Sequence, residues 1–295
     1  DITDPQLSDK LKGTKFDTII NCAAVVKHFA ADDSIEKVNV GGVVNLIRIA
    51  TERGAMLVQI STESVAGESV NGSVPDGRLL KENELFIGQN LENKYANSKY
   101  KAEKAIIDEI PHGLRGKIIR VGNLMSRDSD GEFQINFNTN AFMKQMKSYV
   151  KLGFFSVTDM DTKIEFSPID MVAKAVVILA GTPDQFTVFH VNNCHKVHMA
   201  NVLKSMRDEG MPVEIVSKKV FDQRFMETLK DESKAEYVSG LISYLGNAGE
   251  SRRFIGADET YTIKALYRLG FSWPLISEQY IDRAFEALKT MRFFK

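Results

Sequence analysis

Three short apolar runs constrain this 295-residue chain more than any other feature. DTIINCAA (17–24), AMLVQIST (55–62) and GKIIRVGN (116–123) show almost no in–out alternation. That is the pattern of strands buried on both faces, which belong to parallel sheets. Helical periodicities lie between them. In SIEKVNVGGVVNLIRIATERG (34–54), Ile35, Val38, Val43, Leu46, Ile47 and Ala50 share one face, Ser34 can cap the start and Gly54 can end it. NKYANSKYKAEKAIIDEI (93–110) reads as a second helix. Strand, helix, strand, helix, strand with short connections predicts an α/β fold built on a doubly wound parallel sheet.

After residue 124 the rhythm breaks. Residues 126–137 are polar and loop-like, and helices are expected at NAFMKQMKSYVKLG (140–153) and IDMVAKAVVILAG (169–181), the latter on the sheet, with a further strand at FTVFHVNN (186–193). From about 197 the pattern is mostly helical, apart from a short strand at VEIVS (213–217). The last helix, in EQYIDRAFEALKTMRFF (278–294), puts Ile281, Phe285, Leu288 and Met291 on one stripe. The expected division is a sheet domain over 1–195 and a smaller, mostly helical lobe over 196–295, with 126–160 assignable to either.

Composition narrows the function classes. At 43% hydrophobic, 26% charged and a net charge of −1, the chain has no nucleic-acid or anionic-membrane footprint. No apolar run is long enough to span a bilayer. Two cysteines, Cys22 and Cys194, form no disulfide framework, so a reducing cytoplasm is the expected compartment. HVNNCHKVH (190–198) contains metal-capable residues, but its spacing matches no common zinc pattern, and no metal site is expected. Met143, Met146, Phe154 and Phe155 suit either an acyl pocket or a lobe core.

The stretch NKYANSKYKAEKA (93–105) carries one spacing twice: Tyr95 with Lys99, and Tyr100 with Lys104. Residues i and i+4 share a helix face, where an ammonium can depress a phenol from its usual pKa of about 10. Residues five apart are rotated by about 140°, so the two tyrosines cannot serve one site.

Context separates the copies. YANSKYKAEK (95–104) resembles the Tyr-x-x-Ser-Lys…Ala-Glu-Lys block of the extended short-chain dehydrogenase/reductase family. ISTESVAG (60–67), VNVGGVVNLI (38–47), NCAA (21–24), IIRVGN (118–123) and DITD (1–4) resemble further blocks of that family, in the same order. A narrower resemblance is to the thioester reductase domains of nonribosomal peptide synthetases and carboxylic acid reductases. It rests on KHFAADDSIEKVNVGG (27–42), RVGNLMSRDSDGEFQINFNTNAF (120–142) and EFSPIDMVAKAVVILA (165–180).

That resemblance implies a Rossmann-type sheet and a site. Thr62, Tyr95 and Lys99 would be catalytic, with Ser61 and Ser64 as substitutes for Thr62. Lys99 would bind the nicotinamide ribose and keep the Tyr95 pKa low. The cofactor would meet Asp1, Ile2, Ala23, Ala24, Val25, Asn39, Ser61, Tyr95, Lys99, Gly122, Asn123 and Leu124. Asn39 reads equally as a helix–helix contact, and the alanines as core packing. NADPH is the implied cofactor, with NADH left open. The partner would be a peptidyl carrier protein whose phosphopantetheine holds an acyl or peptidyl thioester. Hydride reduction would release an aldehyde or, after a second round, the alcohol, and the domain would act as a monomer within a larger synthetase.

One departure stands out. The family's Gly-x-x-Gly-x-x-Gly turn, which binds the pyrophosphate at a helix N-terminus, occurs nowhere in these residues. With the chain starting at Asp1, the expectation is an N-terminally truncated fragment lacking the first βαβ unit, which alone binds cofactor poorly. Two other readings share the same blocks: an extended short-chain epimerase or dehydratase acting on a nucleotide sugar, and a cofactor-sensing scaffold without chemistry.

Overall fold

The computed structural model describes residues 1–26, 33–133, 140–241 and 251–294. Parts of the 27–42 and 120–142 resemblances, at 27–32 and 134–139, lie outside the described residues. Among those described, the chain divides into two compact units. The first comprises Asp1–Gly122, Lys174–Asn192 and Gly249–Ser272; the second comprises Asn123–Ala173, Asn193–Ala248 and Trp273–Lys295.

The first unit is built on four parallel strands, β1 (Thr18–Asn21), β2 (Met56–Thr62), β3 (Arg115–Val121) and β4 (Val188–Val191), in that spatial order. The three apolar runs became β1 to β3, and β2 is buried along nearly its whole length. Helix α1 runs through Ser34–Glu36, a π-helical turn at Lys37–Gly41, and Gly42–Arg53, where Gly54 closes it in the left-handed conformation. Helix α2 is Lys94–Glu109, capped by the Asn93 side chain accepting from the Ala96 N–H at 3.1 Å.

Val43, Leu46, Ile47 and Ala50 of α1 and Ala102 and Ile106 of α2 pack with Leu57 and Ile118 of the sheet in one apolar cluster. Gly42 matters to this packing: a Cβ there would come within 2.5 Å of the Ile2 Cδ1. Gly67, at φ +63°, ends the ISTESVAG block where a side chain would overlap the Asn90 carbonyl.

The second unit holds a separate apolar cluster that includes Met143, Met146, Phe155, Val202, Met206, Ile281, Phe285 and Leu288. Its helices include Ala141–Leu152, Met199–Asp208, Lys218–Leu229 and Glu278–Thr290. Short strand pairs sit beside them, Phe154–Ser156 with Glu214–Val216 among them. Met143, Met146, Phe154 and Phe155 are all buried, Phe154 with its ring against Phe221, so they serve as core. Met291 leaves the expected stripe because the helix ends at Thr290.

The expected boundary near 195, with 126–160 assignable to either part, requires correction. Residues 123–173 join the second unit, and 249–272 return to the first. There, Arg252–Phe254 pairs antiparallel with Glu68–Val70, and the Thr262 hydroxyl accepts from the His190 N–H at 2.9 Å. Two three-residue strands carrying arginines and a serine show no period-two hydrophobic signal, so this return has no signature in the sequence.

Candidate active site

Ligands in open parallel sheets collect at the carboxyl ends of the strands. In the first unit, that edge brings together the end of β2, the segment after β1 and one face of α2. Thr62 is the last residue of β2, and its side chain hydrogen-bonds the Tyr95 side chain. The Thr62 hydroxyl also donates to the Ser64 Oγ at 3.1 Å and accepts the Ser64 N–H at 3.2 Å. One turn beyond Tyr95, Lys99 is 4% exposed, and its Nζ donates to the Ile60 carbonyl at 2.9 Å.

Burial pushes the Tyr95 phenol up to about 12, opposed by the Thr62 bond. Burial also pulls the Lys99 ammonium down to about 8, against the attraction of Glu103 and then the Cys22 thiol. The expectation that Lys99 would hold the Tyr95 pKa low is therefore corrected. One Lys99 proton is directed at a backbone carbonyl, and desolvation dominates at the phenol.

The π-helical turn explains why an asparagine sits within a helix. Widened turns recur at functional sites, and this one directs Asn39 out of the helix. Its Oδ1 accepts the Val25 N–H at 2.8 Å, and its Nδ2 donates to the Val25 carbonyl and to the Ser98 Oγ, both at 3.0 Å. Ser98 in turn donates to the Tyr95 carbonyl at 2.7 Å. Asn39 thus ties the loop after β1 to the turn of α2 that carries Tyr95. Behind it, Asn21 donates to Gln59 across the β1–β2 register at 2.8 Å and accepts the Ala23 N–H at 3.1 Å.

The remaining expected cofactor contacts are distributed as follows. Ala23 is exposed at the strand end, with Ala24 and Val25 half-buried beside it. The Gly122 N–H donates to the Val191 carbonyl at 3.3 Å. Ser61 faces the opposite way from Thr62, as alternation along a strand requires, and donates to the Glu103 carboxylate at 2.5 Å. Ile2 turns its side chain into the α1–α2 cluster, while its carbonyl accepts from Asn45 at 2.9 Å. The Asp1 carboxylate is taken up locally by the Thr3 N–H and hydroxyl, both at 2.9 Å.

In the second unit, the Asn123 N–H donates to Glu165 at 2.6 Å, and the Leu124 carbonyl accepts from Asn140 at 3.1 Å. Glu165 also accepts from the Ser167 hydroxyl and, at 3.2 Å, from the Asn193 N–H; burial lifts its carboxyl to about 7.

A buried network beneath the site joins the expected residues through Ser61. Glu103, on α2, and Arg120, on β3, are fully buried and paired at 2.8 Å, with the Arg120 Nε at 3.0 Å from the same carboxylate oxygen. Arg120 further donates to the Lys81 and Glu84 carbonyls, and its Nη1 lies 3.0 Å from the His190 Nε2. Burial, and then the arginine charge, drive His190 down to about 4. The available sequence signal was a charged residue inside a buried strand, which must find a partner.

The groups that would hold the ribose and nicotinamide end of a dinucleotide fit this edge. Two hydroxyls and an ammonium gather there, and the Lys99 Nζ uses one of its three protons on Ile60. The glycine-rich pyrophosphate turn is not among these 295 residues.

Comparison with known proteins adds three relatives and one family. The family profile described as "Male sterility protein", an NAD-binding domain, matches residues 5–176. The chain is 26% identical over 204 residues to a glycine betaine reductase of Emericella nidulans, covering 69% of this chain and 16% of that protein. It is 26% identical over 273 residues to the L-2-aminoadipate reductase large subunit of Candida glabrata, covering 87% and 19% respectively. It therefore spans under a fifth of the length of these curated relatives. A solved thiolation-reductase di-domain from an archaeal non-ribosomal peptide synthetase superposes on the whole chain and 62% of its own, with a TM-score of 0.88 and 36% identity.

Proposed function

Since the chain belongs to the NAD-binding male sterility protein family, we propose that it reduces an acyl or peptidyl thioester, presented on a carrier protein's phosphopantetheine, and releases it as an aldehyde. The observation that carries this reading is the gathering of Thr62, Tyr95 and Lys99 at one sheet edge, with the two hydroxyls hydrogen-bonded. The reductases among its relatives support the reaction class, and the archaeal di-domain, in which a reductase adjoins a thiolation domain, supports the carrier.

The reduced nicotinamide, when bound, supplies the hydride; NADPH is the reductant in this reading. Tyr95 and Thr62 would donate hydrogen bonds to the thioester carbonyl oxygen as negative charge builds there. A phenol kept protonated by burial suits this direction, because reduction consumes a proton at that oxygen. Lys99, charged below about pH 8, would hold the ribose hydroxyls. The resulting hemithioacetal expels the thiol to give the aldehyde. Exposed Ala23, beside Ala24 and Val25, leaves room for close approach, and Asn39 supports that loop.

The test follows NADPH absorbance with a carrier-bound acyl thioester in single turnover, with NADH in a parallel arm. One equivalent oxidised with aldehyde release is expected, and two with alcohol. Cofactor binding without oxidation of any carrier thioester, or turnover of a UDP-sugar instead, would overturn the proposal.

A further inference from the structure

The buried Glu103–Arg120 pair sits directly behind the site yet touches none of the groups assigned to the reaction except through one neighbour. Glu103 lies four residues beyond Lys99, on the same face of α2. Its carboxylate is pinned on two sides. The Ser61 hydroxyl of β2 holds one oxygen at 2.5 Å, and the Arg120 guanidinium of β3 holds the other through two nitrogens at 2.8 and 3.0 Å. Arginine does not deprotonate in proteins, so the pair is a fixed dipole. Its positive end reaches away, toward the Lys81 and Glu84 carbonyls and toward His190, which stays neutral. Its negative end lies on α2, beside Lys99.

We propose that Glu103 is a positioning residue that acts through Lys99: its pinned carboxylate keeps the Lys99 ammonium charged at the pH where reduction would run. The consequence for catalysis rests on the reductase reading above; the charge coupling does not. Lys99 is nearly enclosed, and desolvation lowers its affinity for the proton. Among the described residues, Glu103 faces it from its own helix, Cys22 from the segment after β1, and the neutral Ile60 carbonyl from β2, and Tyr95 lies one turn away on the same helix face. Asn39 of α1 reaches α2 at Ser98 and brings no charge. Glu103 ranks first among the groups that oppose the burial. This gives Ser61 a different use from the expected cofactor contact, since its hydroxyl fixes the orientation of that carboxylate.

The experiment needs no turnover. Lysine-selective ¹³C labelling follows the Lys99 side chain against pH in the cofactor-free chain, with Lys99→Met assigning the signal. The native midpoint is expected near 8. Glu103→Gln keeps the shape and an oxygen for Ser61 but removes the charge. It is expected to lower the midpoint by about one unit, a roughly tenfold change in the proton affinity of Lys99, and Glu103→Asp to restore most of it. A folded Glu103→Gln variant with an unmoved Lys99 midpoint overturns the proposal.

If that variant does not fold, the native chain still decides. Coupling is reciprocal, so the Glu103 carboxyl ¹³C signal must step at the Lys99 midpoint and lose that step in Lys99→Met. The absence of the step overturns the proposal equally. In an active preparation, the basic limb of the kcat/KM profile should move down in pH with the Lys99 midpoint in Glu103→Gln. A native chain without reductase activity counts against the function alone, and an unmoved Lys99 midpoint against this inference alone.

Discussion

Helix α2 carries one tyrosine–lysine spacing on two of its turns, and the two copies occupy different media. Tyr95, itself half-buried, hydrogen-bonds Thr62, and Lys99 is 4% exposed with its ammonium on a strand carbonyl. Tyr100, half-buried, packs edge-on against Phe86 at 6.4 Å, and Lys104 reaches out to an exposed ion pair with Asp108 at 2.5 Å. Equal spacing fixes equal proximity within each pair and nothing more. What differs is the neighbour. One face of α2 meets the ends of β1 and β2, and desolvation there moves both ionisable groups. The other face meets water and a loop, and an exposed pair of that kind contributes little.

Substitutions sharpen the contrast, beginning with the largest effect. Tyr95→Phe is expected to reduce single-turnover reduction about 10²- to 10⁴-fold, the range for a positioned general acid, while Tyr100→Phe leaves the rate unchanged. Equal losses from both would break the comparison. Next in size is the support beneath the first pair. Arg120→Met leaves the Glu103 charge buried without its partner and should cost about 3–5 kcal/mol in urea unfolding. Asn39→Ala removes the tie from Val25 to Ser98 and should cost about 1–3 kcal/mol in the same measurement.

A smaller effect concerns pH. The folded Lys99 titrates near 8 and the unfolded lysine near 10.5, so its burial costs stability below pH 8. That cost disappears as pH rises through the window between the two values. Lys99→Met should flatten the stability profile between about pH 8 and 10.5, read by urea midpoints at each pH, whereas Lys104→Ala should leave the profile and the midpoint where they are.

Much of the first unit was legible because its signals are local. Near-continuous apolar runs mark buried parallel strands, and the ends of β1 to β3 fall within three residues of the runs that predict them. Thr62, Tyr95 and Lys99, named on resemblance and spacing, meet at one sheet edge, and their assignment to catalysis rests with the proposal above. Other features had no local signal. Ser61 and Thr62 are adjacent in sequence, yet strand alternation sends one to Glu103 and the other to Tyr95. Asparagine is unfavourable inside a helix, but a π-turn gives both ends of the Asn39 amide a partner. The return of residues 249–272 to the first unit depends on a three-residue pairing with Glu68–Val70 that carries no periodicity.

The amino-acid order by itself determined the alternation of strands and helices, the spacing that puts each lysine beside its tyrosine, and the lack of a glycine-rich phosphate turn. Each of these is a relation between residues close along the chain. Only the tertiary structure decided which tyrosine bonds Thr62, that burial dominates at the Tyr95 phenol, and that Arg120 of β3 answers Glu103 of α2. Those outcomes depend on how much water is removed and which distant group replaces it, and both are set by packing.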